Sequence, residues 1–413
     1  MSDRSTVTPP TVLPSARQLE YADWELGFMM HFGIRTFHEG HVDWDDKPMD
    51  PAAFNPTQLD CSQWIAAAKS AGMKYAIMTT KHHDGFAVWP TKMKDYSVAA
   101  SPWKGGKGDV VRQYVDACRE HGLAVGFYYS PAEWGNPVYD DPPAYDEYML
   151  GQLRELLTDY GPVDIIWFDG CGSEGHPFDW PRLVSEIRSL QPNILMFNMG
   201  DPDYRWGGNE CGLATEPCDN VVQGADNAPG KWLPTECNAR LRFNHWFYSD
   251  TDADTIKTVA ELMGIYNYSV GRGANLIINV APDRRGLVPE PDVQRLAELG
   301  DGIRHRFANP LATLDDGELT EDGWSTTFDA PTMIDQVVLA EDLSWGQRVR
   351  GYELKIRSTH QGESRITIYH STRIGHKAIC RFPLVAVREL SLHVADSDGP
   401  VKLRSADVHC IEA

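Results

Sequence analysis

Short apolar runs separated by polar turns and amphipathic stretches fill the first three quarters of the chain, a pattern that predicts parallel β/α units. Seven runs read as strands: GFMMH ending at His31, KYAIMTTKHH at His83, LAVGFYYS at Ser130, DIIWFD at Asp169, ILMFNMG at Gly200, WLPTEC at Cys237 and ANLIINV at Val280. Helices are expected between them. DVVRQYVDACREHG places Val111, Val115 and Cys118 on one face and ends in a glycine stop, and DEYMLGQLRELLTDYG and DWPRLVSEIRSLQP repeat the design. From about Asn309 the texture changes. MIDQVVLAEDL, RVRGYELKIRS, SRITIYHS, VRELSLHVAD and VKLRSADVHCI alternate at period two with no intervening helix of ordinary length, as the strands of an antiparallel sandwich do.

These patterns predict an α/β protein: a mobile lead over residues 1–17, a (β/α)8-like, TIM-type barrel over 18–308 and a C-terminal antiparallel β-sandwich over 309–413. An open doubly wound sheet is the competing architecture. The barrel is preferred because chemically interesting residues fall at the C-terminal ends of many different strands, and no G-x-G-x-x-G loop follows a strand.

Composition narrows the partners. A net charge of −21 over 413 residues disfavours nucleic acid and anionic lipid, whose phosphates most of the surface would repel. The 13 Trp and 16 Tyr suit pockets that stack on sugar C–H faces, or equally core packing. Eight scattered cysteines without a C-x-x-C pair predict free thiols. The opening MSDRSTVTPPTVLPSARQ has no apolar segment after its charges, and no later run approaches the roughly 18 apolar residues of a membrane span, so a cytoplasmic, non-membrane protein is expected.

Among candidate catalytic groups Asp169 stands out. It follows the continuous apolar strand of VDIIWFDG and precedes a glycine, which would set its carboxylate at a barrel mouth, with Trp167 two positions earlier on the same strand face. A glycosidase needs such an anchored carboxylate, although a helix N-cap is the plainer reading of Asp-Gly at a strand end. For a second carboxylate, Glu210 in the Gly-rich loop DYRWGGNECG and Glu216 six residues on are equally placed, with Glu236 of WLPTEC behind. His31, His38, His41, His82 and His83 all fall at or just after strand ends, a clustering that points to function. The spacings of known metal sites are missing, so no metal and no cofactor are expected. Arg242 could grip oxygens as a fork of donors or serve as a surface cation.

At these residues the chain resembles the α-L-fucosidases of glycoside hydrolase family 29. The resemblance rests on MMHFG, TTKHHDGFAVWP, SPWKGGKGDVV, ACREHGLAVGFYYSP, WFDG, GGNECG, ECNARLRFNHWFY and SVGRGANLIINVAPDRRG, and spans nearly the whole chain. It implies a retaining exo-enzyme with a barrel and a C-terminal sandwich, acting on fucosylated oligosaccharides or glycoconjugates. The SPWKGGKGDVV segment, the GGNECG loop and GQRV near the start of the sandwich look most like the subgroup that prefers α-1,3/1,4-linked fucose. Carried over by residue, the resemblance implies Asp169 as nucleophile and Glu210, rather than Glu216, as acid/base. It implies that His31, His82, His83, Trp167 and Arg242, and more loosely Tyr129, hold the sugar. Two departures bear on the wall around the leaving group: Ser130-Pro131-Ala132-Glu133-Trp134 stands where relatives read S-P-W-D, and Asp43-Trp44 stands where they carry Glu-Trp. A fucose-binding protein without turnover is the alternative from another class, and the sandwich is expected to buttress the barrel rather than to bind carbohydrate.

Overall fold

The computed structural model describes residues 12–38, 49–223, 230–320, 322–358 and 364–411. His41, Asp43 and Trp44 therefore lie outside the described residues. Among those described, eight parallel strands form the first sheet: β1 (Leu26–Met30), β2 (Tyr75–Lys81), β3 (Ala124–Tyr129), β4 (Ile165–Phe168), β5 (Leu195–Phe197), β6 (Arg205–Trp206), β9 (Thr235–Arg240) and β10 (Asn275–Asn279). Between β6 and β9 lies a small antiparallel pair, β7 (Val221–Val222) with β8 (Lys231–Trp232). The strand order is β5-β4-β3-β2-β1-β10-β9-β6, and a parallel bridge from Phe197 to Tyr204 brings the two ends together, so the sheet closes as a barrel.

Helices cover the outside, α2 (Cys61–Ser70), α3 (Val110–His121), α4 (Pro142–Thr158), α5 (Trp180–Leu190), α6 (Val259–Ser269) and α7 (Glu290–Phe307), while α1 (Ala16–Trp24) sends Tyr21 into the interior of the barrel. Their starts are written locally. Asp60, Asp109, Asp141 and Asp179 each accept a hydrogen bond from a backbone N–H of the first turn of α2, α3, α4 and α5, and Thr258 closes a capping box on α6. α3 ends on Gly122 at φ +75°, and Val111, Val115 and Cys118 are buried, as the sequence pattern predicts. No helix follows β5 or β6 among the described residues, so residues 207–223 and 230–234, the strands β7 and β8 included, run without one at the mouth.

Strand parity separates two layers. Met29, Ile77, Tyr128, Ile165, Trp167, Phe197 and Ile277 pack together inside the barrel, while Phe28, Met78, Phe127, Tyr129, Ile166 and Phe168 belong to the larger core between sheet and helices. β2 carries one extra residue opposite β3, its register passing from Thr79↔Tyr128 to Lys81↔Tyr129. This bulge flips the phase of the strand: Lys81 faces outward over the Tyr129 ring, and His82 comes to face the interior.

The second sheet is antiparallel, ordered β11 (Glu318–Thr320), β12 (Gly323–Glu341), β15 (Ala378–Ser397), β13 (Val349–Ser358) and β14 (Ile366–Ser371), with β16 (Leu403–His409) also paired to β12. Bulges in β12 and β15 let these long strands bend around a core of Trp324, Ile334, Val337, Leu354 and Leu390, as a sandwich requires. Val338 and Ile379 join the barrel's core instead, fixing the sandwich against it. No helix among the described residues is long and apolar enough to cross a membrane.

Gln347 of the sandwich reaches into the barrel, where its Oε1 accepts from Asn220 N at 3.1 Å and its Nε2 donates to Cys218 O at 3.1 Å. Truncating it leaves two buried backbone groups without these partners. Gln347→Ala is expected to lose about 1–3 kcal/mol of stability in denaturant titration; an unchanged midpoint would contradict this account of the junction.

Candidate active site

The barrel mouth holds a cavity of about 580 Å³, inside the roughly 300–1,000 Å³ range of small-molecule sites. His31, His82, His83, Trp167, Asp169 and Glu210 all line it, arriving from β1, β2, β4 and the loop after β6. Asp169 directly follows β4, where alternation after Ile165 and Trp167 turns it inward. Its Oδ2 accepts the Tyr128 hydroxyl at 2.6 Å and its Oδ1 the Cys171 N–H at 3.0 Å, and the side chain is 23% exposed. One donor from the neighbouring strand β3 and one backbone N–H from the turn after β4 thus fix both oxygens.

The histidines are set by partners behind them. Asn279 at the end of β10 donates through Nδ2 to Trp246 O at 2.8 Å, so its Oδ1, 2.7 Å from His31 Nδ1, must be the acceptor. Likewise Ser130 Oγ donates to Ala132 O at 2.7 Å and accepts from His83 Nδ1. Both rings consequently keep their proton on Nδ1 and offer Nε2 as an acceptor. That of His83 lies 3.5 Å from Asp169 Oδ2. His82 stacks on Tyr128, with centroids 5.6 Å apart and an interplanar angle of 11°, and its Nδ1 makes no hydrogen bond among the described residues. The turn that carries this pair is held by Asp84, which accepts from Phe86 N and pairs with Arg35 at 3.2 Å, and by Gly85 at φ +80°.

Burial keeps all three rings neutral. It lowers His31 to about 4, His83 to about 3 with help from Lys81 and Arg35, and His82 well below the usual value. His82, His83 and Asp169 bring possible ligand atoms within 4.8 Å of one another.

Glu210 sits on the loop after β6, half exposed at 51%, with Oε2 3.9 Å from Arg240 Nη1. Its two rivals go elsewhere. Glu216 accepts from Ser371 and Thr372 of the sandwich, at 2.9 Å each. Glu236 is fully buried below the cavity, holding Tyr21, Tyr75, Trp167 and Asn238.

Several expectations are corrected. Tyr129 faces the helix layer, its hydroxyl on Gln152 Oε1 at 2.7 Å, and Tyr128 is the tyrosine of the cavity. Arg242 is clamped between Asp252 at 2.9 Å and Asp292 at 3.1 Å, away from the cavity lining; Arg240 is the arginine near Glu210. Trp134 lines a neighbouring cleft with Glu133 and Asp84, its ring 5.8 Å from that of His83. His38 meets Asp50 O at 3.4 Å and does not line the cavity. Sequence reasoning missed Tyr128, Trp246 and Asn279. Trp246 and Asn279 stand in the segments ECNARLRFNHWFY and ANLIINV, where a polar or aromatic residue at a barrel strand end is the available signal.

Residues 11–305 match the model of the alpha-L-fucosidase family. The chain is 32% identical to alpha-L-fucosidase 1 of Arabidopsis thaliana over 94% of its own length and 85% of that protein. It is 27% identical to an alpha-L-fucosidase of Dictyostelium discoideum over 68% of this chain and 69% of that one. Its fold is similar to that of a glycoside hydrolase 29 family member from an unknown rumen bacterium, with a TM-score of 0.88 and 33% identity over 98% of this chain and 78% of that one.

The neutral histidines link stability to pH. Unfolded, each binds a proton near pH 6.5; folded, each binds one only at much lower pH. The unfolded state therefore holds more protons below 6.5, and stability falls as pH drops, by up to about 1.4 kcal/mol per pH unit per histidine. Urea unfolding at pH 7, 6 and 5 should show this decline, shallower by about one proton in His83→Asn; equal stability at pH 7 and 5 would contradict it.

Proposed function

Because the chain belongs to the alpha-L-fucosidase family and is a glycoside hydrolase, we propose that it releases terminal α-L-fucose from glycans by a retaining, two-step displacement, with Asp169 as nucleophile and Glu210 as general acid/base. The observation that carries this reading is that the two carboxylates enter one cavity on different supports. Asp169 is pinned at a buried strand end by Tyr128 and Cys171, and Glu210 lies on a half-exposed loop.

In the first step an Asp169 oxygen forms a bond to the anomeric carbon as the glycosidic C–O bond breaks, and Glu210 gives its proton to the leaving oxygen. In the second, the Glu210 carboxylate takes a proton from water, whose oxygen attacks the same carbon; the ester bond to Asp169 breaks, and fucose leaves with its configuration retained. A rigid nucleophile keeps its position through both attacks. The acid/base must exchange a leaving group for water, which a loop near solvent allows.

His31 and His83, presenting Nε2 as acceptors, take hydrogen bonds from sugar hydroxyls, and His82, Trp167 and Trp246 complete the wall around the ring. Beyond Asp169 the cavity continues along Phe178, Trp180, Met199 and Trp206, an aromatic and thioether surface suited to the C–H faces of the sugar that departs. We assign the linkage to α-1,3/1,4 in branched glycans, on the form of SPWKGGKGDVV and GGNECG.

Glu210→Ala is expected to lower kcat on a fucosylated oligosaccharide by about 10²–10⁴-fold, and far less on an aryl fucoside whose leaving group needs no proton. Equal losses on both substrates would contradict the acid role. On a panel of defined oligosaccharides, kcat/KM should be highest for α-1,3- and α-1,4-linked fucose; a preference for α-1,2 or α-1,6 would overturn the linkage assignment.

A further inference from the structure

Beneath the cavity floor sits a carboxylate that the two-step displacement does not use. Glu236, on β9, is 0% exposed and makes no salt bridge among the described residues. Four neutral donors meet it: Trp167 Nε1 at 2.9 Å and Asn238 Nδ2 at 3.2 Å on Oε1, and the hydroxyls of Tyr21 at 2.8 Å and Tyr75 at 3.0 Å on Oε2. An ionised carboxylate is the side chain that matches this set, being acceptor-only with about four lone-pair sites. Burial pushes its proton affinity up, and the four hydrogen bonds oppose that rise. Burying an acid with no cation beside it is costly for a site that only fills space, since apolar side chains of similar volume pack there without penalty.

What the carboxylate holds explains its place. Trp167 and Asn238 both line the cavity. The Trp167 indole is sandwiched between Phe197, at 4.3 Å and 10°, and Tyr128, at 5.2 Å and 15°. Tyr128 in turn donates to Asp169 at 2.6 Å. A single hydrogen bond donated by the indole N–H to Glu236 sets the in-plane position of the indole, the indole sets the plane of the phenol, and the phenol aims the hydroxyl at the carboxylate. Stacking alone does not do this, because parallel rings slide over one another at little cost; the N–H bond at the indole edge removes that freedom.

We propose that Glu236 is a positioning residue for the hydrolysis: it locks Trp167, and through the Tyr128 ring holds Asp169 in its attacking orientation. The inference rests on Asp169 being the nucleophile. It predicts an effect concentrated in kcat, since displacement of a nucleophile by about an ångström costs orders of magnitude in rate, whereas contacts of the bound sugar with the histidines are left in place.

The test is a double-mutant cycle on the full chain, with an aryl fucoside as substrate. Glu236→Gln preserves volume but replaces one acceptor oxygen with a donor. It is expected to fold, to leave KM within about threefold and to lower kcat at least about tenfold. In a Tyr128→Phe background, where the path to Asp169 is already cut, the same change should cost no more than about twofold. Trp167→Phe, which removes the N–H donor together with the pyrrole half of the indole and keeps one stacked ring, serves where Glu236→Gln is unstable, and its kcat loss should be non-additive with Tyr128→Phe in the same way. A kcat loss of the same factor in both backgrounds, or an unchanged kcat in a folded Glu236→Gln or Trp167→Phe enzyme, would overturn the proposal. Failure of the underlying reading shows separately, as turnover that survives in Asp169→Ala.

Discussion

The hydrogen bond from the Tyr128 hydroxyl to Asp169 is the constraint on which the rest of the site depends. In the displacement proposed above, this carboxylate attacks one carbon and then releases it, so it must not swing, and a strand end by itself fixes only the backbone. Tyr128 and the Cys171 amide immobilise the side chain from two directions, one on each oxygen. Behind Tyr128, the stack of aromatic rings through Trp167 to Phe197 fills the barrel interior, so the same packing that closes the fold orients the Asp169 carboxylate.

The two carboxylates of the cavity stand on different supports because of where the chain places its helices. The first four barrel strands are each followed by a capped helix, and these carry the histidines and Asp169. After β5 and β6 helices are absent among the described residues, and the segment so released carries Glu210 over the mouth. The sandwich secures the far end of that segment: Gln347 holds the backbone of Cys218 and Asn220, Arg373 pairs with Asp219, and Ser371 and Thr372 hold Glu216. Buttressing is thus a visible role of the second sheet, exercised on the loop that bears the second carboxylate.

Much of this was legible in the residues, because parallel strands and capped helices are local patterns. The barrel, the sandwich and the strand-end positions of His31, His82, His83 and Asp169 follow from apolar runs and their polar termini. β6 was not, since two residues make no period. Nor could the choice between Tyr128 and Tyr129 be read, for β3 is apolar on both faces and nothing in one strand says which faces the lumen. The bulge at Thr80 has the same character: it turns His82 inward, but only the register against β3 reveals it. Arg242 lies two residues beyond the end of β9, where alternation stops applying, and acidic partners distant in sequence capture it. Glu210 and Glu216 are equivalent locally; what separates them is that the sandwich claims one.

The central claim is that Asp169 becomes covalently bonded to the sugar. A 2-deoxy-2-fluoro-fucosyl fluoride speeds the first step through its leaving group and slows both through its ring fluorine, so the intermediate accumulates. Digestion and tandem mass spectrometry should then find the fluorosugar on Asp169, in the peptide containing WFDG. Label on Glu210 or on any other residue, or inactivation that leaves Asp169 unmodified, would contradict the account.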